Sequence, residues 1–240
     1  MSYQDPNAMP YPVSQSRVNE VFPSVMRHVY LWMFLGLLVT AGVAAVVASR
    51  PEWLQLLYQM PLLLIVIVIA QFALVIAIAA AINRLSPGTA LLLFFLYAAL
   101  NGLMFASIFL VYSLGSVALA FIASASLFAA MSIIGFTTKT DLTKWGGILF
   151  MALIGLIIAS IVNIFLASTA LDWIITYAGI LIFLGLTVYD TQSIKKQTAA
   201  LLSQGDELAI SRMGVLGALR LYLDFINLFL MILRLTGRRS

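Results

Sequence analysis

Two aspartates stand inside stretches that are otherwise hydrocarbon. Asp224 interrupts the run Leu219-Arg-Leu-Tyr-Leu-Asp-Phe-Ile-Asn-Leu-Phe-Leu-Met-Ile-Leu-Arg-Leu235. Arg220, Asp224 and Asn227 recur at intervals of four and three, so a helix of 3.6 residues per turn carries them on one face. A carboxylate at membrane depth costs on the order of 3 kcal/mol on insertion scales, so that face turns to protein or to a wet cavity and not to lipid. Asp190 closes the run Phe183-Leu-Gly-Leu-Thr-Val-Tyr-Asp-Thr-Gln192. Successive antiparallel helices bring the two acids to similar depth. Carboxyls that meet there exchange protons as one unit, which is the physics of a pH sensor. A competing reading makes both structural, with Asp190 a helix-end residue near the headgroups and Asp224 neutralised by Arg220 one turn away.

The elements that must position these acids are hydrophobic helices. The chain has 240 residues, 63% hydrophobic and 9% charged, with a mean hydropathy of +1.08. That composition predicts an all-α polytopic membrane protein and leaves nothing for a second soluble domain. Apolar runs of about 20 residues, the length that crosses a hydrocarbon core, fall at 29–48, 61–82, 90–111, 116–136, 147–166, 173–188 extended to Asp190 and Thr191, and 215–235. Residues 1–26, with Pro6, Pro10, Pro12 and Pro23, read as a disordered cytoplasmic tail. Residues 27–236 form the seven-helix domain, 192–213 its one substantial cytoplasmic loop, and 237–240 a short basic tail. No proline follows Pro87, which argues against broken mid-membrane helices.

The net charge of +4 is not a nucleic-acid signal, because the basic residues scatter through loops where membrane orientation explains them. A cytoplasmic amino terminus places Arg17, Arg27, Arg84, Lys139, Lys144, Lys195, Lys196 and Arg212 inside, against Arg50 outside. The carboxyl tail, with Arg234, Arg238 and Arg239, then lies outside, or the last segment re-enters; 21 residues reach across, which favours seven spans. The absence of cysteine removes disulfide and thiolate chemistry, and the single His28 reads as an interfacial residue. Gly36 with Thr40, Ala98 with Gly102, Ala120 with Ser124 and Gly155 with Ser160 stand at helix-packing spacing.

Val188-Tyr-Asp-Thr-Gln192 followed by Ala218-Leu-Arg-Leu-Tyr-Leu-Asp-Phe-Ile-Asn-Leu-Phe229 resembles the paired signature of the transmembrane Bax inhibitor motif (Bax inhibitor-1-like) family. Thr138-Lys-Thr-Asp-Leu-Thr143 and Val162-Asn-Ile164 are similar to its pattern as well. The resemblance spans about Arg27 to Leu235. It implies six helices around a central seventh and, in bacterial members, a proton-sensitive calcium leak in the inner membrane governed by aspartates matching Asp190 and Asp224. It also implies an arginine latch on that pair, for which Arg84 is the positional candidate.

Calcium takes oxygen ligands, and Asp190, Asp224, Asn227 and Asn163 are the oxygens available in this interior. Two carboxylates and amides fall short of a closed cage, so Asp190 and Asp224 form a weak, transient metal site that suits passage. Calcium is expected as permeant ion and no cofactor is expected. The partners implied are the bilayer, calcium ions and protons. Two alternatives stay open: a membrane-embedded regulator that binds a membrane protease or another protein, and a proton-coupled cation exchanger. An aspartyl protease is disfavoured, because no glycine precedes Asp224 and no proline follows to build a substrate strand. No phosphate loop, His cluster or Ser-His-Asp set points to an enzyme.

Overall fold

The structure, a computed structural model, describes residues 15–237. Its helices are α1 (Gln15–Ala48), α2 (Pro51–Gln59), α3 (Pro61–Ala81), α4 (Pro87–Phe105), α5 (Ile108–Val111), α6 (Leu114–Thr137), α7 (Thr143–Leu166), α8 (Thr169–Gln204) and α9 (Glu207–Thr236). Seven helical stretches are long and apolar enough to cross a membrane, with α4 and α5 counting as one. Local chemistry sets their ends. Pro51, Pro61 and Pro87 open helices where a missing N–H costs nothing. Ser86, Ser113, Ser168 and Asp206 accept from the backbone N–H three residues on. The α4–α5 break lies at Ala106 and Ser107 and not at a proline; the Ser107 hydroxyl donates to the Met104 carbonyl at 2.7 Å.

Helix α9 is the core. In its most apolar window 78% of residues are buried, against at most 33% in any other span. It packs mainly on α1, α4, α6 and α8, while α3 lies on α4 and α7 on α8. The direct wall is therefore four helices, with α3 and α7 standing outside it. Aromatic side chains fill the wall: Tyr222 meets Phe94 and Tyr97 edge-on, and Phe225 meets Phe121 and Phe128 likewise. Small residues permit the close approach. A Cβ on Gly36 would overlap Phe94, and one on Gly102 would lie 2.7 Å from the Thr40 carbonyl. Ala120 and Ser124 are fully buried. Gly155 faces open space, so its spacing with Ser160 marks no packing contact.

Two expected segments are corrected. Residues 15–26 are helix and not tail, and residues 1–14 lie outside the described residues. Phe22, Val25, Met26 and Val29 recur at helical spacing and are all buried. That stripe outweighs Pro23, which sits exposed inside the helix. The loop expected at 192–213 is helix on both sides of a two-residue turn. Gly205, at φ 69° in the left-handed region, ends α8, and the Asp206 carboxylate caps α9. Gly-Asp following Ala-Ala-Leu-Leu-Ser-Gln is a helix stop and start, and the 36 residues of α8 reach roughly 54 Å, well past a hydrocarbon core. The tail beyond Gly237 lies outside the described residues.

Candidate functional site

The polar face of α8 is built from Thr187, Asp190, Thr191 and Thr198, all buried, with Asp190 and Thr191 three and four residues after Thr187 and Thr198 seven after Thr191. Asp190 thereby points at α9, where Asp224 faces it. The two residues are 9% and 4% exposed, and their carboxyl groups lie within hydrogen-bond reach of each other. A hydrogen bond between two carboxyls needs one proton between them. Arg220, one turn before Asp224, reaches across to Asp190, with Nη1 4.0 Å from Oδ1. One proton on the pair and one guanidinium beside it would make the site formally neutral, the condition under which charged groups are tolerated at this depth.

This arrangement revises the alternative in which Arg220 serves Asp224 alone, because its ion-pair contact is with the neighbouring helix. The structure does not bring Arg84 to the acids. Arg84 is exposed in the turn after α3, and the ion pairs among the described residues are Lys196–Asp141, Arg220–Asp190 and Arg234–Asp172. The contact from α9 to that turn is made by Arg212, whose Nε donates to the Leu85 carbonyl at 2.8 Å. Asn227 is half-buried one turn beyond Asp224 and donates to the Leu223 carbonyl at 2.8 Å. Asn163 stands at the other end of the bundle, where its Oδ1 accepts from the Ser168 N–H at 3.0 Å and closes the α7–α8 turn. Some 22 residues of α8, roughly 33 Å of helix, separate that turn from Asp190.

Oxygens beside the pair remain unsatisfied. Asp224 Oδ2 and Thr191 Oγ1 are buried without a hydrogen-bond partner, whereas Thr187 and Thr198 bond back to the carbonyls four residues before them at 2.8 Å. With Asp190 these are the hard donors of the site. Among the described residues no group of three His, Cys, Asp or Glu forms a metal cage.

A second layer was missed in the sequence reading: the residues flanking Asp190 are gripped by the α6–α7 hairpin. A Cβ on Gly135 would lie 2.6 Å from the Val188 carbonyl, and one on Gly146 would overlap the Tyr189 ring. The Gln192 amide donates to the Thr140 carbonyl at 2.7 Å and accepts from the Leu142 N–H at 2.9 Å. Lys196 pairs with Asp141 and donates to Thr143 Oγ1 at 2.6 Å. Val188-Tyr-Asp-Thr-Gln192 is thus one acid held by its four neighbours. Gln192→Leu leaves the Leu142 N–H and the Thr140 carbonyl without their partner. We expect a loss of about 1–3 kcal/mol and faster amide exchange over 138–143, read by hydrogen exchange.

The Lys196 ammonium, followed by the Thr143 hydroxyl and amide, holds the Asp141 carboxyl below the usual carboxylate range. A depressed folded-state value gives stabilisation that is fully present above the unfolded value of about 4 and lost only below it. The clasp is therefore constant between pH 5 and 8, and a response in that window has to originate elsewhere.

The arrangement coincides with a match over nearly the whole chain. Residues 23–240 fit the family described as inhibitor of apoptosis-promoting Bax1. The chain belongs to this Bax inhibitor-1-like family. It is 49% identical over 214 residues to the inner membrane protein YbhL of Escherichia coli strain K12, covering 89% of this chain and 91% of that protein. A Borreliella burgdorferi protein is 43% identical over 214 residues, again 89% and 91% of the two chains. A Deinococcus radiodurans protein is 38% identical over 228 residues, 95% and 96% of the two. The chain is accordingly a multi-pass membrane protein of the Bax inhibitor-1-like family.

Proposed function

We propose that this protein is a pH-sensitive, calcium-permeable leak of the inner membrane, with Asp190 and Asp224 as its proton sensor and Arg220 as their counter-ion. The observation that carries the reading is the buried contact of the two carboxyls beside one guanidinium. With a single proton the site is neutral and α8 is tied to α9 through Arg220. A second proton removes the partner of Arg220, whose side chain is 37% exposed. The α8–α9 contact then loosens, so acidification favours opening. Beyond the pair, Phe225 and Phe229 of α9 pack edge-on against Phe121 and Phe128 of α6, an apolar contact that would exclude water until the helices separate.

A passing calcium ion would find Asp190, Asp224 Oδ2 and Thr191 Oγ1 as hard donors, with water completing its shell. The nearby guanidinium opposes a divalent cation and keeps occupancy brief. The end of the bundle carrying Arg84, Lys139, Lys144, Lys195, Lys196 and Arg212 is cytoplasmic in this reading. Residues 192–204 are helix and Lys196 is engaged with Asp141, so the basic segment 192–213 offers a protein partner no flexible handle there.

The test is calcium entry into liposomes containing only the purified chain, followed with an enclosed indicator from pH 8 to 5. Entry that rises on acidification is expected. Flux no greater than in protein-free vesicles at every pH would sink the leak, and strict dependence on an opposing cation gradient would replace it with exchange.

A further inference from the structure

An open apolar groove of about 420 Å³ runs between α1 and α6, lined by Tyr30, Met33, Phe128, Ser132, Ile133 and Phe136. It lies at the end of the bundle where α1 begins and α6 stops, and it opens sideways over Ile133, which is 63% exposed. Two features distinguish it from the rest of the lipid-facing surface.

The first is Ser132, 6% exposed, whose hydroxyl has no hydrogen-bond partner. Two other hydroxyls of α6 follow the usual rule for helices in hydrocarbon and bond back four residues, Ser124 to Ala120 at 2.7 Å and Ser126 to Ile122 at 2.8 Å. Ser132 breaks that rule in the wall of the groove. The second is Lys195 at the mouth. Its Nζ lies 5.7 Å and 5.8 Å from the ring centroids of Phe22 and Phe136, which are stacked on each other at 5.0 Å. Lys195 has no carboxylate in ion-pair distance among the described residues. Four residues of α6, about 6 Å of helix, separate Phe136 from Ser132.

We propose that this groove is a binding site for one anionic diacyl phospholipid. The acyl chain lies along Met33, Phe128 and Ile133. The headgroup phosphate takes the free charge of Lys195 at the bundle end. An ester carbonyl, one step deeper than the phosphate, accepts the hydrogen bond that the Ser132 hydroxyl otherwise lacks. A cation at the mouth, a hydroxyl one turn in and hydrocarbon beyond reproduce the order of groups along such a lipid, and neither a soluble phosphate nor a purely apolar ligand matches all three. Neither Lys195 nor Ser132 is an ion-pair or hydrogen-bond partner of Asp190 or Asp224.

The experiment is native mass spectrometry of the full chain in mild detergent, offered equimolar phosphatidylglycerol and phosphatidylcholine. One phosphatidylglycerol retained in preference by about fivefold is expected, the discrimination one interfacial cation supplies. Lys195→Gln, which keeps the stem over the rings, is expected to bring the ratio to about one. Ser132→Ala is expected to weaken retention of both lipids and keep the ratio. Equal retention by the natural chain, an unchanged preference in Lys195→Gln, displacement by glycerol phosphate alone, or a second copy of the chain in place of lipid would each overturn the assignment.

Discussion

In Asp190→Asn, calcium entry into liposomes is expected to be high and flat, within about twofold, from pH 5 to 8, where the natural chain changes by about tenfold or more, the range that one proton per gate permits. The variant copies the state in which the second proton has arrived: position 190 is neutral, and Arg220, whose Nη1 lies 4.0 Å from Asp190 Oδ1 in the natural chain, has lost its partner on α8. Arg220 is left with Asp224 one turn along its own helix, an intrahelical pair worth only tenths of a kcal/mol. Size and hydrogen bonding are retained, which makes this variant a cleaner test than alanine. Asp224→Asn is a different experiment. Its amide still donates to Asp190, which stays ionised beside Arg220 and can still take the proton that opens the gate, so entry is expected to rise on acidification as in the natural chain. A natural pH profile in Asp190→Asn would remove the sensor from this site.

The helices and the two acids were legible in the sequence because hydropathy over 20 residues and a carboxylate in hydrocarbon are strong local signals. The burial of α9 followed from the same reasoning, since a face bearing Arg220, Asp224 and Asn227 has no place against lipid. What stayed hidden depends on contacts far apart in sequence. Gln192 is an ordinary helix residue until the backbone at 140 and 142 lies beside it. Arg220 has a carboxylate at i+4 on its own helix, and only the approach of α8 shows that it reaches Asp190 instead. Arg84 was attractive by depth and charge, yet depth along a helix says nothing about direction around it, and its side chain is exposed. Asn163 was read as an interior oxygen because its span is apolar, although an Asn three residues before a helix end has a nearer use as a turn cap. Two boundaries could have been read better. The stripe Phe22, Val25, Met26, Val29 announces helix through Pro23, and Gly205-Asp206 is a stop followed by a cap.

Arg220→Gln is expected to cost about 3 kcal/mol at pH 8, the lower part of the range for removing one partner of a buried ion pair, because the guanidinium is partly exposed. The cost has a stated origin. Without the guanidinium, the pair with one proton carries a net negative charge among Tyr222, Phe225 and Thr187, all buried, and no other cation among the described residues is in ion-pair distance to neutralise it. A second proton removes that charge. The loss measured by thermal unfolding in detergent should therefore shrink as the pH falls toward 5, and Arg220→Gln should leak calcium at a pH where the natural chain is closed. Adding Asp190→Asn removes the charge permanently, so the double variant is expected to recover most of the lost stability, a coupling of about 1–3 kcal/mol between residues on different helices. Arg84→Gln serves as the control for general loss of positive charge at that end of the bundle and is expected to shift Tm by no more than a surface substitution does. If Arg220→Gln and Arg84→Gln behaved alike, or if Asp190→Asn failed to rescue Arg220→Gln, the guanidinium would not be the counter-ion of the pair, and the tie between α8 and α9 would have to lie in their apolar packing.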